Sequence, residues 1–248
     1  MAIKYKHSNN LHSLSGAKSA LPEILAGSTP ESLLDVGCGT GTWMKAAIDL
    51  RIKEVIGING IIPPLEELNV DEKLIIKADL SQPLDLKRKF DLLLCLEVAE
   101  HLDETDARRL IESLTRHSDT IAFSAAIPGQ SGDHHANCQW PQYWQALFNE
   151  FSFSCSDDIR FKIWEEESIE PWYRQNLFMA RRDKEAGSEA RLLHIIHHEL
   201  LNSLTKEAVK EALKEQQQQI ELGSMRLSWY AATSIKATIS KLLRRNRY

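Results

Sequence analysis

Leu33-Leu34-Asp35-Val36-Gly37-Cys38-Gly39-Thr40-Gly41-Thr42 joins a short apolar run to the start of an amphipathic stretch, and its reading decides the fold. Three glycines at alternate positions remove side chains where a strand must turn sharply into a helix, and they let a ligand lie against the backbone. The helix that follows offers amides with no intrahelical partner. Two phosphate-binding patterns are excluded. A dinucleotide fingerprint needs its third glycine at position 42, which is threonine, and a P-loop needs a Gly-Lys-Ser/Thr ending that is absent. The turn suits a ligand without a pyrophosphate.

Outward from this turn, short apolar runs alternate with amphipathic stretches, the pattern of a mostly parallel sheet covered by helices. The spacing predicts strands over 32–36, 54–58, 73–78, 90–96, 120–124, 151–157 and 175–181. It predicts helices over 11–26, 42–50, 104–117 and 141–149, the last with Pro141 in its first turn, where no amide hydrogen is missed. Residues 185–222 are rich in Ala, Leu, Glu, Lys and Gln and have no Gly or Pro after Gly187, so one long helix is expected there, ending at Gly223. Leu192, Ile196, Leu200, Leu204, Val209 and Leu213 give it an apolar stripe that must face the domain or a partner helix. An α/β domain over 1–183 and a helical extension over 184–248 follow.

At 248 residues, 43% hydrophobic and 26% charged, the chain has ordinary globular composition and can bury a sizeable core. A net charge of -5 gives no reason to expect a nucleic-acid partner. No apolar run is long enough for a membrane span, and the start lacks the apolar core of a secretory signal, so a cytoplasmic protein is expected. Cys38, Cys95, Cys138 and Cys155 lack CxxC spacing, which reads as reduced thiols and not as disulfides or a zinc ribbon. Residues 223–248 hold six basic side chains and no acidic one. With Trp229, Tyr230, Ile235 and Ile239, residues 225–248 weakly match an amphipathic helix at a membrane surface; docking on the domain or a basic tail explains the same letters.

The Asp-x-Gly-x-Gly-x-Gly run at 35–41 resembles the first motif of the class I S-adenosylmethionine (SAM) dependent methyltransferases. Leu96-Glu97-Val98-Ala99-Glu100-His101 resembles a segment of their ubiquinone-biosynthesis-like branch. The resemblance implies a Rossmann-like seven-stranded sheet with its last strand antiparallel, and SAM as cofactor. It implies Asp35 near the methionine ammonium, the amides of Gly37, Gly39 and Gly41 near its carboxylate, and Glu97 beside the methionine part. Asp79 would take the adenine amino group, the Leu80 amide a ring nitrogen, and His101 would line the methyl-transfer pocket. The family closes its second strand with an acidic residue for the ribose, whereas this chain has Asn59, a change worth about 1–2 kcal/mol of affinity. Blander roles stand beside these: Asn59 as a turn residue before Gly60, Asp79 as the cap of the turn before Pro83, and Glu100 and His101 as the opening of the next helix.

Residues 124–141, Ser-Ala-Ala-Ile-Pro-Gly-Gln-Ser-Gly-Asp-His-His-Ala-Asn-Cys-Gln-Trp-Pro, also resemble a stretch of bacterial methyltransferases found with polysaccharide or secondary-metabolite genes. This glycine-bearing loop gathers polar and aromatic groups where an acceptor should approach. His134 or His135 is the candidate general base for a hydroxyl acceptor, and Asn137, Gln139, Trp140 and Tyr143 are candidates for orienting it. A metal held by His134, His135 and Cys138 is set aside, because adjacent histidines rarely point at one ion and no carboxylate pattern supports it. His194 and His198 share a helix face at i, i+4 but lack the glutamate of a catalytic zinc motif.

Two functions remain. One is methyl transfer to a small hydroxylated acceptor such as a sugar, with oxygen favoured. The other is a catalytically inactive scaffold of the same fold, acting through its C-terminal helix, which also offers a homodimer contact. A nucleobase methyltransferase is disfavoured, since no Asn/Asp-Pro-Pro-aromatic motif follows the fourth strand.

Overall fold

The computed structural model describes residues 13–130 and 132–221. Strands β1 (Ser32–Val36), β2 (Glu54–Asn59), β3 (Ile75–Lys77), β4 (Leu92–Leu96), β5 (Thr120–Ser124), β6 (Phe153–Ser156) and β7 (Phe178–Arg182) form one sheet in the order β3-β2-β1-β4-β5-β7-β6. β7 is antiparallel to both β5 and β6, while the pairs from β3 across to β5 are parallel. This is the Rossmann-like sheet expected from the resemblance. β1 and β4 are buried at every residue; β4 accordingly reads as an unbroken apolar run, and β1 departs from one only at Ser32 and Asp35.

Alternate residues of these strands feed two cores. Leu33, Leu92 and Leu94 pack with α1 (Leu14–Leu25), α2 (Thr42–Asp49), α5 (Asp158–Ile163) and α6 (Pro171–Asn176). Leu34, Leu93 and Phe123 pack with α3 (Glu104–His117) and α4 (Pro141–Glu150). Strand order reverses between β1 and β4, so a crevice opens beyond their carboxyl ends.

Several expected boundaries shift. The third, fourth and sixth strands are shorter than their apolar runs, and residues 175–176 end α6 instead of opening β7. α5 and α6 are single short helices whose six residues are too few to show a period. The expected helix over 185–222 begins only at His198, as α7 (His198–Glu221), and residues 184–197 form a strap of turns and extended chain. Side chains of the domain claim the strap's amides. Leu192 N donates to Gln145 Oε1 at 3.0 Å, Leu193 N to Asp157 Oδ2 at 3.2 Å, and His197 N to Gln175 Oε1 at 2.8 Å. These acceptors outweigh helix propensity worth tenths of a kcal/mol per residue.

Leu192 and Leu200 are buried, but Ile196, Val209 and Leu213 are 39%, 55% and 60% exposed, so the six residues do not form one buried stripe. The Leu204 side chain, residues 11–12 of the first expected helix and the basic tail over 223–248 lie outside the described residues. The chain divides into two units, Met1–Leu201 and Asn202–Tyr248, and the strap belongs to the first. Among the described residues no helix is long and apolar enough to cross a membrane.

Candidate active site

A cavity of about 640 Å³ opens where the strand order reverses. Asp35 near the end of β1, Asn59 at the end of β2, Asp79 after β3 and Glu97 after β4 all line it. Asp35 is 2% exposed and its Oδ2 has no hydrogen-bond partner. Burial alone pushes its pKa up to about 7. A buried acceptor left in this way is matched by a cationic donor, and Asp103 and Asp106 at the same cavity add to its acidic lining. The lining suits an ammonium or a sulfonium, not a phosphate.

The glycine turn follows its expected conformation, and two of its three glycine amides bond within the chain. Gly37 (φ 82) lies in the left-handed region, and a Cβ there would collide with Val98 Cγ2. Its amide is already committed to Ile58 O at 2.7 Å, as is that of Cys38 at 3.1 Å, while Gly41 N donates to Cys38 O at 2.8 Å. Gly41 also stands outside the lining, at the N-cap of α2. Gly39 and Thr40 both line the cavity at this turn. The Gly37 and Gly41 amides thus hold the turn itself together.

Asn59 is buried and its Nδ2 donates to Ile61 O at 2.5 Å, which turns Oδ1 the other way. Asp79 Oδ1 accepts from Ser81 N at 3.0 Å and Ser81 Oγ at 2.7 Å, bonds that hold its carboxyl below the usual range. It caps its turn and lines the cavity together with Leu80, with Oδ2 remaining for a ligand.

Glu97 sits at φ 55, a costly conformation for a bulky residue. Gln130 Nε2 donates to its Oε2 at 3.0 Å and Asn176 Nδ2 to its Oε1 at 3.1 Å. Burial raises its pKa despite those bonds. Next along the chain, Glu100 is fully buried, and burial and the nearby Glu97 push its pKa well up against a smaller opposing pull from the Glu100 and Ala126 amides. His101 lines the cavity, and burial followed by the charge of His135 lowers its pKa to about 4.

The loop after β5 lands on this corner. Ala136 N and Asn137 N donate to Glu100 O at 2.8 and 2.9 Å, and the His135 ring lies 5.1 Å from that of His101. His134 instead is exposed at φ 61. Among the described residues, the lining omits His134, His135, Asn137, Gln139, Trp140 and Tyr143. Gln139 Nε2 donates to Asn137 Oδ1 at 3.0 Å, Trp140 stacks on His194 at 4.9 Å, and Tyr143 packs edge-on against Trp144.

Sequence reasoning missed Trp43 and Tyr173, which line the cavity and join through Trp43 Nε1 to Tyr173 Oη at 3.3 Å. Tyr173 stands on the short helix α6, with no motif around it. It also missed the buried carboxyl of Glu100, whose signal was only its place beside His101.

Comparison with known proteins adds an independent finding. Residues 10–175 match the model of a family described as a methyltransferase domain. No curated protein sequence matches the chain. Among solved structures, the sugar N-methyltransferase KedS8 from Streptoalloteichus is 15% identical, with 74% of this chain and 99% of that one covered at a TM-score of 0.54. DesVI of Streptomyces venezuelae is 13% identical, with 72% and 100% covered at 0.53. The methyltransferase domain of a bacterial Hen1 is 17% identical, with 69% and 100% covered at 0.52. At these identities the likeness is one of fold.

Proposed function

The chain belongs to the methyltransferase-domain family, as a class I SAM-dependent methyltransferase, and from that premise we propose that it methylates a hydroxyl group of a small molecule, a sugar unit first among candidates. The cavity has what the cofactor needs: the orphaned Asp35 Oδ2 for its ammonium, the Gly39 and Thr40 amides for its carboxylate, Asn59 for the ribose, and Asp79 with Leu80 for the adenine. Bound SAM supplies an electrophilic methyl group on a sulfonium that is already a good leaving group. What remains for the protein is to align an acceptor, exclude water and ease the loss of its proton.

One observation carries the preference for oxygen: the Glu100–His101–His135 corner, which meets the cavity through His101. A hydroxyl needs help in losing its proton and an amine needs less. Of the two candidate bases, the reading keeps His135, which stands beside His101, over the exposed His134. Asn137, Gln139, Trp140 and Tyr143 would act as a frame behind that corner, not as walls of the cofactor cavity. The sugar preference draws on the fold shared with a sugar N-methyltransferase and an amino pentose methyltransferase, whose names support a sugar but not an oxygen acceptor. The same reading keeps the enzyme in the cytoplasm and gives the exposed Val209 and Leu213 of α7 to a second copy of the chain.

Isothermal titration with SAM and S-adenosylhomocysteine, followed by turnover on hydroxylated and amino sugars, tests this. Micromolar binding and methylation of a hydroxyl are expected. Turnover confined to amines refutes the choice of oxygen, and absence of binding to either ligand returns the chain to the scaffold reading.

A further inference from the structure

Glu100 ends up fully buried in a single 3-10 turn, and neither carboxyl oxygen meets a hydrogen-bond donor at ordinary geometry. Leaving a carboxyl in that state is expensive, so its surroundings are informative. One oxygen of Glu100 and one ring nitrogen each of His101 and His135 lie within 4.8 Å of one another. An ion with bonds near 2.1 Å holds tetrahedral donors about 3.4 Å apart, so the cluster closes on an ion with shifts of about an ångström.

The surroundings hold the donors in place. His135 Nδ1 lies 3.0 Å from the carbonyl oxygen of Gln130, whose side chain in turn donates to Glu97. Histidines that bind metals are oriented by such a contact at their second nitrogen. Gly132 is required as well, since a Cβ there would collide with the His135 ring. The sequence set a metal aside for want of a carboxylate near His134 and His135. The fold brings one from Glu100 and replaces His134 with His101.

We propose that Glu100, His101 and His135 bind one divalent cation that accepts mixed nitrogen and oxygen donors, Mn²⁺ or Zn²⁺, and that this ion holds the acceptor hydroxyl. Two imidazoles and a carboxylate leave positions open for such an oxygen. Once bound there, the hydroxyl's O–H bond breaks, the electron pair stays on oxygen, the proton passes to water, and the ion offsets the new charge. The acceptor's role rests on the methyl-transfer reading, with the ion in place of a free His135 imidazole as the group that eases proton loss; binding of the ion does not rest on it.

The test uses the full chain stripped with a chelator, without SAM or acceptor. Mn²⁺ is titrated by electron paramagnetic resonance and Zn²⁺ by competition, with S-adenosylhomocysteine affinity measured separately by calorimetry. One ion per chain is expected, with Glu100→Gln and His135→Ala each weakening Mn²⁺ at least tenfold. No stoichiometric binding of either ion, or binding that survives both substitutions, overturns the site. If Glu100→Gln fails to fold, His135→Ala, on the loop, decides alone. Binding of S-adenosylhomocysteine without an ion removes the cation site alone. An ion bound without S-adenosylhomocysteine removes the methyl-transfer reading alone.

Discussion

Replacing Asp35 with asparagine should move stability and cofactor binding in opposite directions. The carboxyl's pKa is about 7 in the folded chain, against an ordinary 3.8, because it is buried. A carboxyl with a raised folded pKa holds more protons when folded, so the ligand-free chain loses stability as pH rises from about 4 to about 7 and recovers none above. At about 1.4 kcal/mol per pH unit the loss approaches about 4 kcal/mol. Asp35→Asn abolishes that loss but buries an amide donor, which costs about 1–3 kcal/mol. The variant should therefore be about 1–3 kcal/mol more stable than the parent at pH 8, and its stability should vary less between pH 5 and 8. Binding suffers in turn. A hydrogen bond to a charged group contributes about 1.5–3 kcal/mol, so S-adenosylhomocysteine should bind roughly 10- to 150-fold more weakly. In the parent, affinity should tighten about tenfold from pH 6 to 8 as Asp35 ionises. Urea unfolding at pH 5 and 8, with calorimetric titration, reads all of this. A variant less stable than the parent at pH 8, or one binding within twofold of it, would refute the reasoning.

The histidines give a second comparison: His135→Ala should lower turnover about 100-fold with S-adenosylhomocysteine affinity retained, while His134→Ala stays within about threefold in a methyl-transfer assay. Gly37→Ala puts a Cβ into Val98 at φ 82 and should cost about 1–3 kcal/mol in urea unfolding and abolish cofactor binding. Burial raises the pKa of Glu189, but bonds from Asn149, Gln145 and the Glu189 and Cys155 amides outweigh it and hold the carboxyl at about 2. Its support for the strap is therefore complete above pH 4.5 and lost as pH falls toward 2. The protection of amides 184–197 against hydrogen exchange, relative to their intrinsic rates at each pH, should fall across that window in the parent and lose this pH dependence in Glu189→Gln.

The central fold was legible because its information is local. A buried parallel strand is mostly apolar, and a turn that lies against a ligand is rich in glycine, so 33–42 and 90–96 declared themselves. The strap was not legible: its letters favour a helix, and the side chains of Gln145, Asp157 and Gln175 that override them lie 22 to 47 residues earlier. Asp35, Asn59, Asp79 and Glu97 could be brought to one cavity from the sequence because each lies at or just beyond the carboxyl end of a strand. At Gly37 and Gly41 the sequence shows where glycine is needed but not where its amide points, and both amides turn to carbonyl oxygens of the chain itself. Glu100 read as the polar start of a helix, and only the loop folded over it makes it a buried donor beside two histidines.

The strap does one thing more. β6 is one of the two edge strands, and on its outward side the Cys155 amide donates to Glu189 Oε1 at 3.2 Å. Unpaired strand edges are templates for aggregation, and natural sheets cover or blunt them. A chain that ends at residue 183 keeps all seven strands but uncovers that edge, inviting edge-to-edge association. During synthesis the sheet likewise waits for a segment that leaves the ribosome after its last strand, and until then its outer border is open to neighbouring chains.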